Sequence, residues 1–343
     1  MENVTDSGAA ADGGVEDITV IVCAFTERRL VVTAACIEAV LAQQPSPAAV
    51  LVVVDHNDDL RDELTRRFAD PRVTVMANEA QRGLSHARNA GVSACKTPLV
   101  AFVDDDAIPD PGWLANLRAA FAPGDVVVAG GHARPKWAAE EPRWLAPELL
   151  WTVGCSYAGM VREGPARNPL GCNMLFQTSV FDRVGGFDPA VGRLGSKPLG
   201  CEETELCLRA RREQPGAEIV IVEGAEVEHL VTEERCRRRY VLRRCYYEGI
   251  SKALVRLLSD STALDTERGY VTKALPQATL RALRAIPREG TTALVRALLI
   301  PASLVAAAAG YILGRAYFAV RPIQHAAPRI TRGAAAAPVS SSP

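Results

Sequence analysis

Three consecutive aspartates, Asp104-Asp105-Asp106, directly follow the apolar run Leu99–Val103. Carboxylates clustered at the end of a strand repel one another, so something cationic must compensate for them. A hard divalent ion does this with oxygen ligands, and Mg²⁺ or Mn²⁺ takes one or two carboxylates together with substrate phosphates. A solvated turn would use the same residues, because Asp suits turns. A second acidic pair, Glu202-Glu203, opens a helical pattern in Gly-Cys-Glu-Glu-Thr-Glu-Leu. Taken alone, that pair is explained by its favourable interaction with the positive end of a helix dipole.

The elements that must position these residues alternate along the chain. Short apolar runs at Ile18–Ala24, Val50–Asp55, Val73–Ala77 and Leu99–Val103 read as strands. Helical patterns at Val31–Gln43, Asp59–Ala69 and Leu84–Ala94 separate them. Nearly all-apolar strands alternating with helices predict an α/β fold, a doubly wound and mostly parallel sheet with helices on both faces. Right-handed crossovers place ligands at the carboxyl ends of such strands. Phe25–Arg28, Asp55–Asp58 and Asp104–Asp106 should therefore converge on one crevice. Past Gly131 the alternation loosens. Val126–Ala129 and Glu218–Val222 read as strands, Glu202–Arg212 and Cys236–Leu258 as helices, and Pro276 to Gly290 as a turn-rich stretch. Trp137, Trp144 and Trp151 recur every seven residues, but Pro142 and Pro147 interrupt a shared helical face.

The chain has 343 residues, 48% hydrophobic and 23% charged, with a formal net charge of −1. That balance disfavours a nucleic-acid binder driven by bulk charge. It also hides an asymmetry: Arg281 to Arg332 holds eight arginines against Glu289 alone, a charge of +7, leaving −8 elsewhere. Ala297 to Gly314 carries no charge over 18 residues between Arg296 and Arg315. As a helix it reaches about 27 Å, slightly short of a bilayer core of about 30 Å. A membrane contact lying in the plane or re-entering is the leading expectation, with a span or a buried core helix as alternatives. An anionic membrane surface fits the charge. The nine cysteines show no Cys-x-x-Cys spacing, and residues 1–17 lack the basic and apolar regions of a signal peptide. The expected place is the cytoplasmic compartment, peripheral on the cytoplasmic face of the membrane.

The ordered segments CAFTE (23–27), VVVDHNDD (52–59), RGLSHARNAG (82–91), AFVDDDA (101–107), GGF (185–187) and CEETEL (201–206) together resemble the family 2 glycosyltransferases of GT-A fold. The resemblance covers roughly residues 18–252. It implies a nucleotide-sugar donor, a divalent metal and transfer with inversion at the anomeric carbon. Position by position, it implies nucleotide contact by Phe25, Glu27 and Asp55, with Arg82, Gly83, Arg88 and Asn89 packing under the nucleotide. It puts Asp104 near the ribose and Asp106 on the metal, with Asp105 beside them on the donor side. Glu203 stands where the family carries its general base, next to Glu202 and one methylene longer than the usual Asp. His229 stands where a late His completes the metal shell in some GT-A enzymes. Asn173 falls in the acceptor-side segment. Arg239 and Arg243, four apart on one helical face, could meet the diphosphate or an anionic acceptor.

These readings predict an inverting glycosyltransferase moving a sugar from a nucleotide diphosphate, with UDP the expected carrier, to a hydroxyl of a glycan or lipid-linked acceptor, with Mg²⁺ or Mn²⁺ as cofactor and no nucleic-acid partner. The expected organisation is a leader at 1–17, a GT-A domain at 18–260, a helical basic and apolar extension at 261–330, and a tail at 331–343. A nucleotidyltransferase acting on sugar phosphates is the alternative enzyme, although Cys-Ala-Phe-Thr-Glu-Arg lacks that class's Gly-rich first loop. A non-catalytic sugar-nucleotide-binding membrane scaffold is the non-enzyme alternative.

Overall fold

A computed structural model of the chain describes residues 17–122, 124–192, 199–258, 268–320 and 327–330. The expected leader, except Asp17, and the expected tail lie outside the described residues. The first half is a regular βα alternation: β1 (Ile18–Ala24), α1 (Leu30–Leu41), β2 (Ala49–Val54), α2 (Asp58–Arg67), β3 (Val73–Ala77), α3 (Leu84–Ala94) and β4 (Leu99–Asp104). These strands pair in parallel in the order β3-β2-β1-β4. The chain steps outward from β1 to β3, then returns past β1 to form β4. The strand order thus reverses between β1 and β4, the kind of switch point outside whose carboxyl ends α/β sheets bind ligands.

Both sheet faces are covered because side chains alternate along each strand. Val20, Val22, Val50, Val52 and Val54 face one way, with Ile37 and Val40 of α1 and Leu60 and Leu64 of α2. Ile21, Leu51, Val53 and Phe102 face the other, with Ala87 and Val92 of α3. On that second face Phe102, Phe176, Phe181 and Phe187 form an aromatic cluster with ring centroids 5.4–6.3 Å apart. Each fully buried ring contributes about 1.5–3 kcal/mol.

Beyond β4 the sheet becomes mixed. The short β5 (Ala107–Pro109) leads to α4 (Trp113–Ala119) and β6 (Val126–Trp137). They are followed by β7 (Gly164–Pro165), β8 (Asn173–Gln177), α5 (Ser179–Val184), α6 (Glu202–Glu213) and β9 (Glu218–Val231). β8 lies antiparallel between β4 and β6, and β9 runs parallel to β6 while also pairing β5. The strands expected at Val126–Ala129 and Glu218–Val222 are longer than their apolar cores, because each continues through polar residues such as Arg134 and Glu228 that face solvent.

Among the described residues, three α-helices follow β9, with a π-helical turn at Tyr270–Ala274 leading into the second: α7 (Arg238–Leu258), α8 (Leu275–Glu289) and α9 (Thr291–Val320). The stretch expected to be turn-rich near Pro276–Gly290 is α8 instead. Pro276 sits in the first turn, where a missing N–H costs nothing, and Pro287 lies in the last turn before Gly290. α9 crosses α7 at near backbone contact. A Cβ at Gly249 would stand 2.0 Å from Ala307 O, and one at Gly310 would stand 1.9 Å from Tyr246 O. α9 is not a core helix: about a third of its apolar window is buried. Its outward face shows Leu298, Val305, Ile312 and Leu313 at 55–68% exposure.

Candidate active site

The end of β4 carries Asp104, and the following turn carries Asp105 and Asp106. Strand register brings His229 to them, since Ala107 of β5 pairs with His229 of β9 and Leu230 N donates to Asp106 O at 2.8 Å. Ligand atoms of Asp104, Asp106 and His229 all lie within 4.8 Å of one another. Burial holds the imidazole below its ordinary pKa, with Asp106 opposing that shift and Arg235 reinforcing it. A neutral ring keeps a lone pair for a metal. Two carboxylates and one imidazole are donors suited to a divalent cation such as Mn²⁺ or Mg²⁺. Gly154 makes room for the ring: it sits at φ +91, and a Cβ there would stand 2.8 Å from His229 Cε1.

The aspartates are compensated by three arginines from three places in the chain. Arg29, in the 3-10 turn after β1, reaches Asp105 Oδ1 at 2.6 Å and Asp106 Oδ2 at 3.0 Å. Arg235, just before α7, lies 3.6 Å from Asp106 Oδ2 and 3.5 Å from His229 Nε2. Arg88 of α3, only 2% exposed, donates through Nη2 to Asp104 Oδ1 at 3.1 Å and to Gly171 O at 2.9 Å. Its Nη1 donates to Glu202 Oε1 at 3.1 Å. Burial disfavours the guanidinium charge, but Asp104 and Glu202 hold it protonated. Desolvation pushes the Asp105 carboxyl up to about 7, with Arg29 opposing that shift.

The neighbouring acidic pair begins α6. Glu202 is buried against Arg88, while Glu203 is half-buried, with its Oε2 near Gly171. Desolvation first, then the charge of Glu202, pushes the Glu203 carboxyl up to about 8; its backbone hydrogen bond and Arg88 oppose this.

At the ends of β2 and β3, Asp55 is buried and fixed from three sides. Its Oδ1 accepts from Asn78 Nδ2 at 2.6 Å and lies 3.0 Å from His56 Nδ1, and its Oδ2 accepts from Gly83 N at 3.0 Å. Gly83 sits at φ +148, a conformation suited to glycine. Arg82 donates to His56 O at 2.9 Å. A cleft of about 450 Å³ opens there, lined by residues that include Val54, His56, Asn57, Arg61 and Asn78. Phe25 is half exposed, with Arg29 5.4 Å over its ring. Glu27 is exposed, its carboxyl held low by backbone and Asn57 hydrogen bonds.

Four of the residues expected at the site have their side chains engaged in other contacts or exposed. Asn89 is spent on the Gly-Gly-Phe turn, donating to Phe187 O and accepting from Phe187 N, both at 2.8 Å. Asn173 ties strands together: its Nδ2 donates to His132 O and Ala225 O, and its Oδ1 accepts from Trp113 Nε1. Arg239 and Arg243 are exposed on α7, and Arg243 lies over the Tyr247 ring. Arg29 and Arg235 are the basic side chains that lie against Asp105 and Asp106. No local sequence signal singles out Arg29 or Arg235 among the arginines around them.

A family model described as glycosyl transferase family 2 matches residues 19–185. A glucosyl-dolichyl phosphate glucuronosyltransferase of Haloferax volcanii is 30% identical over 301 residues, covering 87% of this chain and 96% of its own. The chain belongs to glycosyl transferase family 2. A pre-mycofactocin glycosyltransferase of Mycobacterium tuberculosis is 26% identical over 56% of this chain and 39% of its own. Among solved structures, the mannosyltransferase PcManGT of Pyrobaculum calidifontis, in complex with GDP-Man and Mn²⁺, superposes with a TM-score of 0.55. It is 17% identical and covers 89% of this chain and 87% of its own, a likeness of GT-A fold. The protein is therefore a glycosyltransferase, an enzyme that transfers sugar.

Proposed function

We propose that this glycosyltransferase moves a sugar from a nucleotide-diphosphate sugar to a hydroxyl of a lipid-carried acceptor, inverting the anomeric carbon. The observation that carries this reading is the double engagement of Arg88: one guanidinium holds Asp104 of the metal-type cluster and Glu202 beside the half-buried Glu203. That shared arginine supports a donor-side and an acceptor-side carboxylate set close together, as a single in-line displacement requires.

In this mechanism the base and ribose of the donor lie along Asp55, Phe25 and Glu27 and the cleft beside them. Asp104, Asp106 and His229 would hold a divalent cation, which when bound stabilises the charge gathering on the departing diphosphate. Arg29 and Arg235 stand close enough to this cluster to add positive charge on the same side. Glu203 accepts the proton of the acceptor hydroxyl as the new bond forms. A carboxyl raised toward neutral pH suits that role, because a base is most effective when its pKa lies near the working pH. An acceptor that was already an ionised phosphate would not need it.

The Haloferax relative is named for action on a glucosyl-dolichyl phosphate, which supports a glycosylated lipid phosphate as the acceptor class. The exposed apolar face of α9 and the arginines around it support the helical extension as the part that meets an anionic membrane from the cytoplasmic side. The deciding experiment is to incubate the protein with UDP- and GDP-linked hexoses and uronic acids, Mn²⁺ and glycosylated polyprenyl phosphates. Released nucleoside diphosphate with a product of inverted anomeric configuration by NMR is expected. Release of pyrophosphate would instead assign a nucleotidyltransferase, and hydrolysis or transfer with retention would refute the single displacement.

A further inference from the structure

Behind the acidic pair lies a charged cluster that the mechanism leaves unused. Glu248 of α7 has a side chain only 13% exposed. Its Oε2 accepts from Arg244 Nη1 at 2.8 Å, and Lys252 Nζ lies 3.5 Å from its Oε1. Burial works against its charge, but Arg244 and then Lys252 outweigh it and hold the carboxyl down at about 2. The same Oε1 accepts from the Cys201 thiol at 3.4 Å. Close by on α7, Ser251 Oγ accepts from Gly200 N at 3.1 Å.

The segment held in this way is strained. Cys201 adopts φ +76, ψ 15, a left-handed conformation that a side chain disfavours and that persists only where its surroundings impose it. Cys201 O accepts the N–H of Glu205 at 2.9 Å, so the orientation of this residue sets the direction in which α6 starts. Glu203 lies two residues on. α7 is itself fixed by its close crossing with α9, where Gly249 of α7 meets Ala307 and Gly310 of α9 meets Tyr246.

We propose that Glu248, assisted by Ser251, is a positioning residue for sugar transfer: from α7 it holds the strained Gly200–Cys201 turn and thereby aims the Glu203 carboxylate at the acceptor hydroxyl. The inference rests on the reading of Glu203 as the base. The charged groups around Glu203 are Glu202 on its own helix, Arg88 from α3 and Glu248 from α7, with Arg244 and Lys252 behind Glu248. Removing the Glu248 charge therefore also lowers the pH at which Glu203 ionises.

The test is steady-state kinetics on full-length E248Q, E248D and S251A, with nucleotide affinity measured separately by titration. E248Q and S251A are expected to lose about tenfold in kcat, with donor KM and nucleotide affinity within about twofold of wild type, since misplacing a reacting group slows chemistry more than binding. The acidic limb of the E248Q kcat profile moves to lower pH, whereas E248D keeps the wild-type limb and recovers part of kcat. Wild-type kcat in E248Q and S251A overturns the proposal, as does a fall in kcat matched by an equal fall in nucleotide affinity. Should E248Q not fold, S251A decides alone, because it removes a single hydroxyl. E203Q run alongside separates the two readings. Transfer by E203Q refutes the base assignment, whereas an inactive E203Q beside wild-type E248Q and S251A refutes only the positioning role.

Discussion

Asp104, at the end of β4, and Glu202, at the start of α6, bind the same guanidinium, each at 3.1 Å from a different nitrogen of Arg88. The planar fork of arginine can serve two carboxylates at once, and the point charge of lysine cannot reproduce that geometry. R88K should therefore fold less stably and transfer sugar poorly although the charge is kept. R88M leaves Glu202 buried without its cation, and a loss of about 3–5 kcal/mol is expected from breaking such a buried pair. Thermal unfolding of both variants, with kcat for R88K, checks this. A methionine variant as stable as wild type would show that the bridge contributes nothing to the fold.

The metal-type cluster predicts graded losses. D106N should abolish Mn²⁺ binding measured by calorimetry or by EPR of the bound ion. H229A should weaken it by about ten- to a hundredfold, because one ligand or its support is lost. EDTA should stop transfer and added Mn²⁺ restore it. Undiminished transfer in excess chelator would remove the ion from the mechanism.

Gly154 gives a sharper version of the same test. Alanine there meets both a positive φ and a Cβ contact of 2.8 Å with the His229 ring. The ring must shift from its place beside Asp104 and Asp106, so G154A should weaken Mn²⁺ binding without substituting any of the three residues. The strained backbone should cost about 1–3 kcal/mol in stability. Equal Mn²⁺ affinity in G154A and wild type would mean that His229 is not held by this contact.

Much of this arrangement was legible in the sequence, and the reasons differ by element. β1 to β4 and the helices between them follow from valine-rich runs buried on both faces, a pattern with one solution in a parallel sheet. The return of Asp55 and Asp104 to one crevice follows from that topology. What the sequence did not show depends on long-range register. Arg29 and Arg235 sit in charged runs, TERR and EERCRRR, in which no local pattern marks the one guanidinium that turns inward. Asn89 and Asn173 were legible as polar residues in family segments, but their amides bond backbone brought close only by folding. α8 was hidden by its two prolines: Pro276 falls in the first turn, where its missing N–H costs nothing, and Pro287 falls in the last turn, where at most one terminal bond is lost.

The apolar face of α9 predicts a lipid-facing surface of defined position. Leu298, Val305 and Ile312 are 63–68% exposed, whereas the opposite face is locked onto α7 through Gly310. With that opposite face packed on α7, the lipid-facing surface is expected to lie along the helix. L298E/V305E/I312E should lose co-sedimentation with anionic vesicles while its circular dichroism and nucleotide affinity stay at wild type. Binding to neutral vesicles should already be weaker, by the contribution of the nearby arginines, about 1 kcal/mol each. A wild-type protein that stays in the supernatant with both vesicle types and sediments as a dimer would assign the face to a second copy instead.

Glu203 gives the pH dependence its sign. Burial and the adjacent Glu202 raise its carboxyl from the ordinary range to about 8. As a base it works only when ionised, so kcat should climb with pH up to about 8 and then level off, and E203Q should lack transfer while retaining nucleotide binding. Stability should run the other way. A carboxyl whose pKa is higher in the folded than in the unfolded state binds more protons when folded, so it costs nothing below about pH 4.5. Its destabilisation grows as pH rises through about 8. E203Q cannot ionise and escapes that cost. At pH 9 it should unfold at a higher temperature than wild type, by about 2 kcal/mol once residual solvent contact is allowed for, and the two proteins should melt together near pH 4. Melting curves at these two pH values are enough. Parallel curves at both would place the Glu203 carboxylate in solvent, where it could not act as a tuned base.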